Sequence, residues 1–370
     1  MPGTIMPRFV LSPCGTSVLT NVASIEERRL LTRYANAHAA EDVPVEERQQ
    51  LEVMILRAQQ RLEAADLEQA VRQSAELNGL IKLCDHRLEA GPDVHQLLCT
   101  DTWLGEASSR LIAAWLRSRQ CTVAVRRQSD LQTARLDAFQ LALSDLVKWC
   151  AEDVAGYRAS GYRVIFNLTG GFKSIQGFLQ VLATFHADET VYIFENAADL
   201  LRIPHLPVQM AVESSLRDHL GVFRRLSLDL PVDGVAGIPE ILLMQLDGQI
   251  TLSPWGDLVW SQSKKALYSE GLHPTPSRKL RYGQGFVRSS EGLPADRITL
   301  LNERIDQLTR HLEGDRSNNP ASLDFKPLRN SPFPLSSHEA DAWADQDAKR
   351  LFGHFEEDVF VIDALAKGLH

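Results

Sequence analysis

Between residues 8 and 194, short apolar runs alternate with helical stretches of ten or more residues. That alternation leaves few folds open. Residues 8–21 read as a strand running into a Gly/Ser/Thr loop, and 95–100, 121–125, 162–167 and 191–194 read as further strands. Helical patterns separate them at 108–118, 132–160 and 175–186. Strands joined by helical crossovers pair in parallel and bury both sheet faces, which predicts an α/β, doubly wound sheet. Such sheets bind ligands beyond the carboxyl ends of their strands, so the loops after Val10, Thr100 and Phe166 are where a site is expected.

One stretch interrupts the pattern. Residues 24–90 are dominated by Ala, Leu, Glu, Gln and Arg, with Leu51, Ile55, Ala58, Leu62 and Ala65 recurring every three or four residues. That period predicts a pair or trio of helices inserted after the first strand, closed by Gly91-Pro92. Beyond Pro204 the chain changes again. Residues 208–275 predict helices around the short strand and turn Ile250–Gly256, the order of a small winged-helix-like module, and 273–277 read as a linker. The remainder, 276–370, reads as α+β: a strand at 279–288, a helical pair at 294–313, and strand-like runs at 322–328, 348–355 and 358–363. The expected domains are therefore 1–207, 208–275 and 276–370.

Charge limits the function. The formal net charge is −9, which does not suit non-specific duplex binding, where phosphate contacts dominate. Any nucleic-acid chemistry then needs a local basic pocket. The five cysteines (Cys14, Cys84, Cys99, Cys121, Cys150) form no Cys-x-x-Cys pair, so neither a disulfide framework nor a structural zinc site is expected. The first residues show no basic stretch followed by an apolar one, and no run of about 18 apolar residues occurs. A cytoplasmic chain without a membrane partner is the expectation.

The sharpest local signal is Asn167-Leu-Thr-Gly-Gly-Phe-Lys-Ser174, which follows an apolar strand and opens a helix. Glycines let backbone approach a ligand, and helix N-terminal N–H groups attract phosphate. The spacing is not that of a Walker A loop, and a tight strand–helix turn with a solvated lysine fits it equally well. Asp101, at the end of the second strand run, is able to accept a hydrogen bond from a ribose or adenine, or to serve the following helix as a cap.

Together, Ser12-Pro-Cys-Gly-Thr-Ser-Val-Leu-Thr-Asn21 and Asn167–Ser174 resemble the CARF domain of type III CRISPR accessory proteins, over residues 7–205 with the helical insertion unmatched. The resemblance implies a Rossmann-like sensor, a homodimer, and one cyclic oligoadenylate bound across the twofold axis, cyclic tetra-adenylate being the activator this subgroup prefers. Carried over by position, Gly15, Thr16, Ser17, Thr169, Gly170, Gly171 and Lys173 would line that site, with Asp101 beside it. Ser17 and Lys173 also resemble positions that ring nucleases use to linearise the same ligand.

Residues 277–370 resemble the RelE superfamily of messenger-RNA interferases in element order and in the placing of basic residues. The resemblance implies ribosome-dependent cleavage of mRNA, with Arg350, Lys326, Arg329, Lys367 and His370 as catalytic candidates. Elementary chemistry asks for the same kinds of group. Cleavage through a 2′-OH needs a base, a cation on the developing phosphorane and an acid for the leaving oxygen. The stretch departs from RelE toxins in charge, with 13 Lys and Arg against 15 Asp and Glu. Arg33 and His38 match the spacing of HEPN ribonucleases, although a helix-surface coincidence accounts for them; Glu356–Asp358 read as a turn. The expected function is a cyclic oligoadenylate-activated mRNA endoribonuclease with no cofactor or metal. The rivals are a ligand-gated transcription regulator and a stand-alone ring nuclease.

Overall fold

A computed structural model describes residues 6–193, 199–206, 208, 213–314, 319–328 and 333–368. They fall into two units, 1–209 and 210–370.

The first unit is built on a six-stranded sheet. In chain order its elements are β1 (Arg8–Cys14), α1 (Ser17–Thr20), α2 (Ile25–Arg33), α3 (Val45–Glu63), α4 (Leu67–Gln73), α5 (Ala75–Leu83), β2 (Val94–Cys99), α6 (Trp103–Ser118), β3 (Thr122–Arg127), α7 (Leu136–Trp149), α8 (Ala155–Ala159), β4 (Arg163–Asn167), α9 (Lys173–His186), β5 (Glu189–Tyr192) and β6 (Leu201–Pro204). The strand order is β3-β2-β1-β4-β5-β6. The first five strands are parallel, and only the edge strand β6 runs antiparallel, to β5. The expected doubly wound α/β sheet is present. Strand order reverses between β1 and β4, so the loops after these two strands flank the switch point where such sheets bind ligands. Phe194, the end of the expected fifth strand, lies outside the described residues.

The helical stretch after β1 holds four α-helices beyond the short α1, not a pair or trio. Caps divide it. Ser24 and Glu27 form a capping box, Asp66 and Gln69 form another, and Ser74 caps α5 through the Leu77 N–H. Each supplies acceptors for otherwise orphan N–H groups, so a helix restarts wherever one occurs. The α5 residues Leu77, Leu80, Ile81 and Leu83 are buried, in one core with Val10, Ile165 and Val191 of the sheet. α6 begins five residues before the expected start because the Thr102 hydroxyl accepts from the Gly105 N–H.

The second unit contains α10 (Glu213–Asp218), α11 (Leu220–Ser227), a hairpin of β7 (Leu243–Leu246) and β8 (Gln249–Leu252), α12 (Pro254–Ser269), β9 (Leu280–Tyr282), α13 (Gln284–Ser290), α14 (Ala295–Glu313), β10 (Lys326–Pro327), β11 (His338–Trp343), β12 (Lys349–Glu356) and β13 (Val359–Lys367). Its five-stranded sheet runs β10-β11-β12-β13-β9. Three expectations are corrected here. The strand read at 279–288 stops at Tyr282, because Gly283 donates to Ile362 O and a Cβ there would lie 2.9 Å from that oxygen, so the chain turns tightly into α13. Residues 295–313 form one helix rather than two, since no Gly or Pro breaks them. The run 322–328 contributes only Lys326 and Pro327 to the sheet, whereas β11 was not anticipated.

A buried ion pair links α11 to α14. Arg224, fully buried, reaches Asp306 Oδ1 with Nε at 2.8 Å and donates to Pro274 O at 2.6 Å, while Tyr268 also donates to Asp306. Burial pushes the Asp306 carboxyl up, and Arg224 opposes that shift. Removing one partner leaves an uncompensated charge in the core, so Arg224→Ala should lower stability by about 3–5 kcal/mol. A hydrophobic pair, Arg224→Met with Asp306→Leu, should recover most of it. Thermal melts of the two variants check this, and equal destabilisation by both would contradict it.

Candidate functional sites

β1 ends at Cys14 and β4 at Asn167, and the loops that follow meet over a single carboxylate. That carboxylate is Glu76, in the first turn of α5, and it is completely buried. Its Oε1 accepts from Gly15 N at 2.9 Å and Gly171 N at 3.1 Å. Its Oε2 accepts from Ser17 Oγ at 2.5 Å and Ser74 Oγ at 2.7 Å. Asn167 secures the β4 side, donating from Nδ2 to Ser12 Oγ and to the Glu76 carbonyl. Gly171 takes a positive φ of 98°, and a Cβ on it would lie 2.9 Å from the Pro13 side chain. Glycine is therefore required at this position by both conformation and space. Burial, and then the charge of Glu76, push the Cys14 thiol well up.

The structure thus brings together four of the expected ligand residues, Gly15, Ser17, Gly170 and Gly171, around Glu76, and sets Thr169 of the same loop against Gly79, one turn further along α5. Thr16 is the residue before α1 and makes no side-chain cap. Lys173 and Ser174 stand exposed in the first turn of α9. Asp101 belongs to a separate network. It accepts from Arg127 Nε at 2.7 Å and from Asp130 N at 2.9 Å, while Arg127 also holds Glu106 and His38. Burial resists ionisation of Asp101, but the Asp130 N–H and Arg127 outweigh it and hold the carboxyl below its ordinary range. The capping role considered for Asp101 falls to Thr102. Arg33 binds Glu47, so it is occupied away from the His38–Arg127 contact.

In the second unit, the face of the sheet away from α14 gathers the charged groups. Leu351 and Phe355 of β12 join the α14 core, so Arg350, Phe352 and His354 point to the other face. Arg350 lies beside Asp341 Oδ1 at 3.1 Å and Asp324 Oδ2 at 3.6 Å, and bonds Glu339. Lys326 joins the cluster, bonded to Asp324 and 4.0 Å from Glu339. Lys367 is exposed at the end of β13, 3.9 Å from Asp347, outside the Arg350 cluster. Arg329 and His370 lie outside the described residues.

Sequence reasoning missed His354. Its Nδ1 meets Asp363 Oδ2 at 2.9 Å and its Nε2 meets Glu356 Oε1 at 3.3 Å. Ser336 Oγ donates to the same Asp363 oxygen at 2.7 Å, and Arg281 pairs with Glu356. A register shift puts Asp363 here: Phe352 pairs with Ala364 but Gly353 with Ile362, which leaves Asp363 as the bulged residue of β13. Bulges re-aim side chains in this way. The hydrogen bond to Asp363 pushes the imidazole pKa up, against partial burial, and Glu356 adds to it. Glu356 itself is held below its ordinary range by Arg281, and ends β12 before the expected turn at Glu357. Among the described residues no group of three His, Cys, Asp or Glu side chains is placed to hold a metal ion, and no helix is long and apolar enough to cross a membrane.

Residues 71–206 match the model of a family described as CRISPR-associated protein (Cas_APE2256). No curated protein matches the chain. Over that stretch the chain is similar to CRISPR-associated proteins, which supports a CRISPR-related function. The match begins within α4 and so includes α5 and Glu76, which the sequence reading had assigned to an unmatched insertion.

The His354 shift has a definite sign. A folded-state pKa above the unfolded value near 6.5 means the protonated imidazole stabilises the fold. That contribution is complete below about pH 6.5 and is lost as pH rises through the raised folded value. The stability difference between wild type and His354→Gln should therefore shrink from acid toward alkaline pH. Denaturant melts between mildly acidic and alkaline pH check it, and a constant difference would contradict it.

Proposed function

We propose that the chain is a cyclic oligoadenylate-activated, ribosome-dependent mRNA endoribonuclease of CRISPR defence. In this reading the first unit is a sensor acting as a homodimer, and the second carries the nuclease. The observation that supports the reading is the pair of glycine loops whose N–H groups converge at the switch point of the sheet, in a unit of which residues 71–206 match a CRISPR-associated family. Two backbone N–H groups, hydroxyls and the exposed Lys173 suit a ring of phosphodiesters.

The nuclease half rests on the outer face of β12. Cleavage transfers the 2′-OH proton to a base, forms the O2′–P bond, breaks the P–O5′ bond and returns a proton to O5′. His354, held by Asp363 with its pKa raised above the ordinary imidazole value, is the proton-transfer group of this scheme and donates the proton to the leaving O5′. Arg350 is the fixed cation for the phosphorane oxygens. It faces three carboxylates in the resting protein, so substrate phosphate must exchange with them. The ribosome supplies what this acidic unit lacks, namely the RNA already placed.

Cleavage of mRNA in a ribosome-containing extract, with and without cyclic tetra-adenylate, tests the reading. Cuts should need both. Specific DNA binding without cuts would mark a transcription regulator, and linearised activator without cuts a ring nuclease. Arg350→Ala and His354→Ala should each lower activated cleavage by about 10²-fold, with ligand affinity unchanged. Lys173→Ala should instead weaken ligand binding by about 1.5–3 kcal/mol, the worth of a charge-assisted hydrogen bond. Calorimetry and gel assays on the same preparations separate the two effects.

A further inference from the structure

We propose that Glu76 is an internal stand-in for a ligand phosphate, and that an anion enters the loops after β1 and β4 only by displacing its carboxylate. This rests on the sensor reading and adds its regulation.

Glu76 takes two main-chain N–H groups from different loops and two hydroxyls, and all four partners donate, as an acceptor-only group requires. Backbone N–H groups converging from a strand–turn–helix junction make a phosphate seat. The carboxylate fills that seat closely. A Cβ on Gly170 would lie 2.4 Å from Glu76 Cδ, and one on Gly79 of the same helix would lie 2.1 Å from Asn167 Oδ1 and 2.7 Å from Thr169 Oγ1. Glycines on both sides of the contact therefore let α5 press on the β4 loop. A second observation points to another occupant. Thr169 Oγ1, in the same β4 loop and against Gly79 one turn along α5 from Glu76, is buried and has no hydrogen-bond partner in this arrangement. A hydroxyl left unsatisfied costs free energy unless another state uses it.

Displacement need not move the whole helix. Leu77, Leu80 and Ile81 anchor α5 in the core, whereas Glu76 sits in its first turn, two residues after the extended Ser74. Withdrawal of one side chain, with or without that turn, vacates the seat. The wild-type affinity for an anion is then reduced by the fraction of molecules whose seat is open.

Two variants separate displacement from simple repulsion. Glu76→Gln keeps the size and one acceptor oxygen for the two main-chain N–H groups, but loses the charge and puts an NH2 donor against the Ser17 and Ser74 hydroxyls. Glu76→Asp keeps the charge but is too short to reach both loops, so it vacates the seat. Calorimetry with cyclic tetra-adenylate, and separately with tripolyphosphate, measures binding, and thermal melts confirm that both variants fold. Both should bind at least about tenfold more tightly than wild type, the size of shift expected when a mostly closed site opens. Tighter binding by the Gln variant alone means that Glu76 only repels the ligand and stays in place, which overturns the proposal. Equal binding by all three overturns it too. If tripolyphosphate follows the predicted order while cyclic tetra-adenylate binds none of the proteins, the stand-in role holds and the cyclic oligoadenylate reading fails. Absence of binding by either probe to any of the proteins removes both.

Discussion

The carboxylate of Glu76 is the contact on which the switch-point end of the first unit's sheet depends. It ties the loop after β1 to the loop after β4, and it ties both to α5. Without an acceptor there, the N–H groups of Gly15 and Gly171 would be left unpaired beside a packed sheet, at a cost of about 1–3 kcal/mol each. The geometry of the switch point and the seating of the helical stretch are thus one problem with one solution. Gly79 and Gly170 belong to that solution, because any side chain on either would separate helix and loop. The stretch read as an insertion is for this reason part of the sheet's architecture from α5 onward, in agreement with where the family match begins.

The second unit solves its own charge problem in a related way. Arg224 is buried against Asp306, and Arg225 is bonded to Glu313 in both directions of its fork. These pairs join the helices of the middle stretch to α14 and fix where the linker at 273–277 runs, since Arg224 and Arg225 also hold the carbonyls of Pro274 and Pro276. The outer sheet face carries cations and carboxylates intermixed rather than a basic patch. That pattern matches the composition, where acids slightly exceed bases.

Much of the architecture was legible because it rests on periodicity. Parallel strands buried on both faces leave continuous apolar runs, and β1, β2 and β4 were all readable as such. β11 was not, because its inward residues are Ala340 and Ala342, small and poor strand formers. The glycine loops were readable as a close approach of backbone, but the carboxylate they hold was not. Glu76 looks like any acid at a helix start, and only the fold shows that it points inward. His354 was invisible for a different reason. Its partner Asp363 reaches it through a bulge, and a one-residue register shift leaves no mark in a period-two pattern.

If the first unit takes a polyanion, as proposed, it must also fold without it. An empty seat of inward-facing N–H groups is costly, and so is a half-buried arginine with nothing opposite. Glu76 in one unit and Glu339 with Asp341 in the other meet that requirement from within the chain. Placeholders of this kind have a functional consequence. When phosphate replaces carboxylate, one anion exchanges for another, and the net Coulomb gain is small. Discrimination then falls on what a carboxylate cannot copy: the tetrahedral spread of oxygens, the second and third phosphates of a chain or ring, and the donors left idle in the resting state, such as Thr169 Oγ1. A single small anion offers too little of this to displace Glu76, whereas a ligand presenting several phosphates at fixed spacing recruits further donors for each contact it breaks. Under the proposed displacement, internal competition of this sort would set a threshold that favours a ligand with several phosphates over a single one.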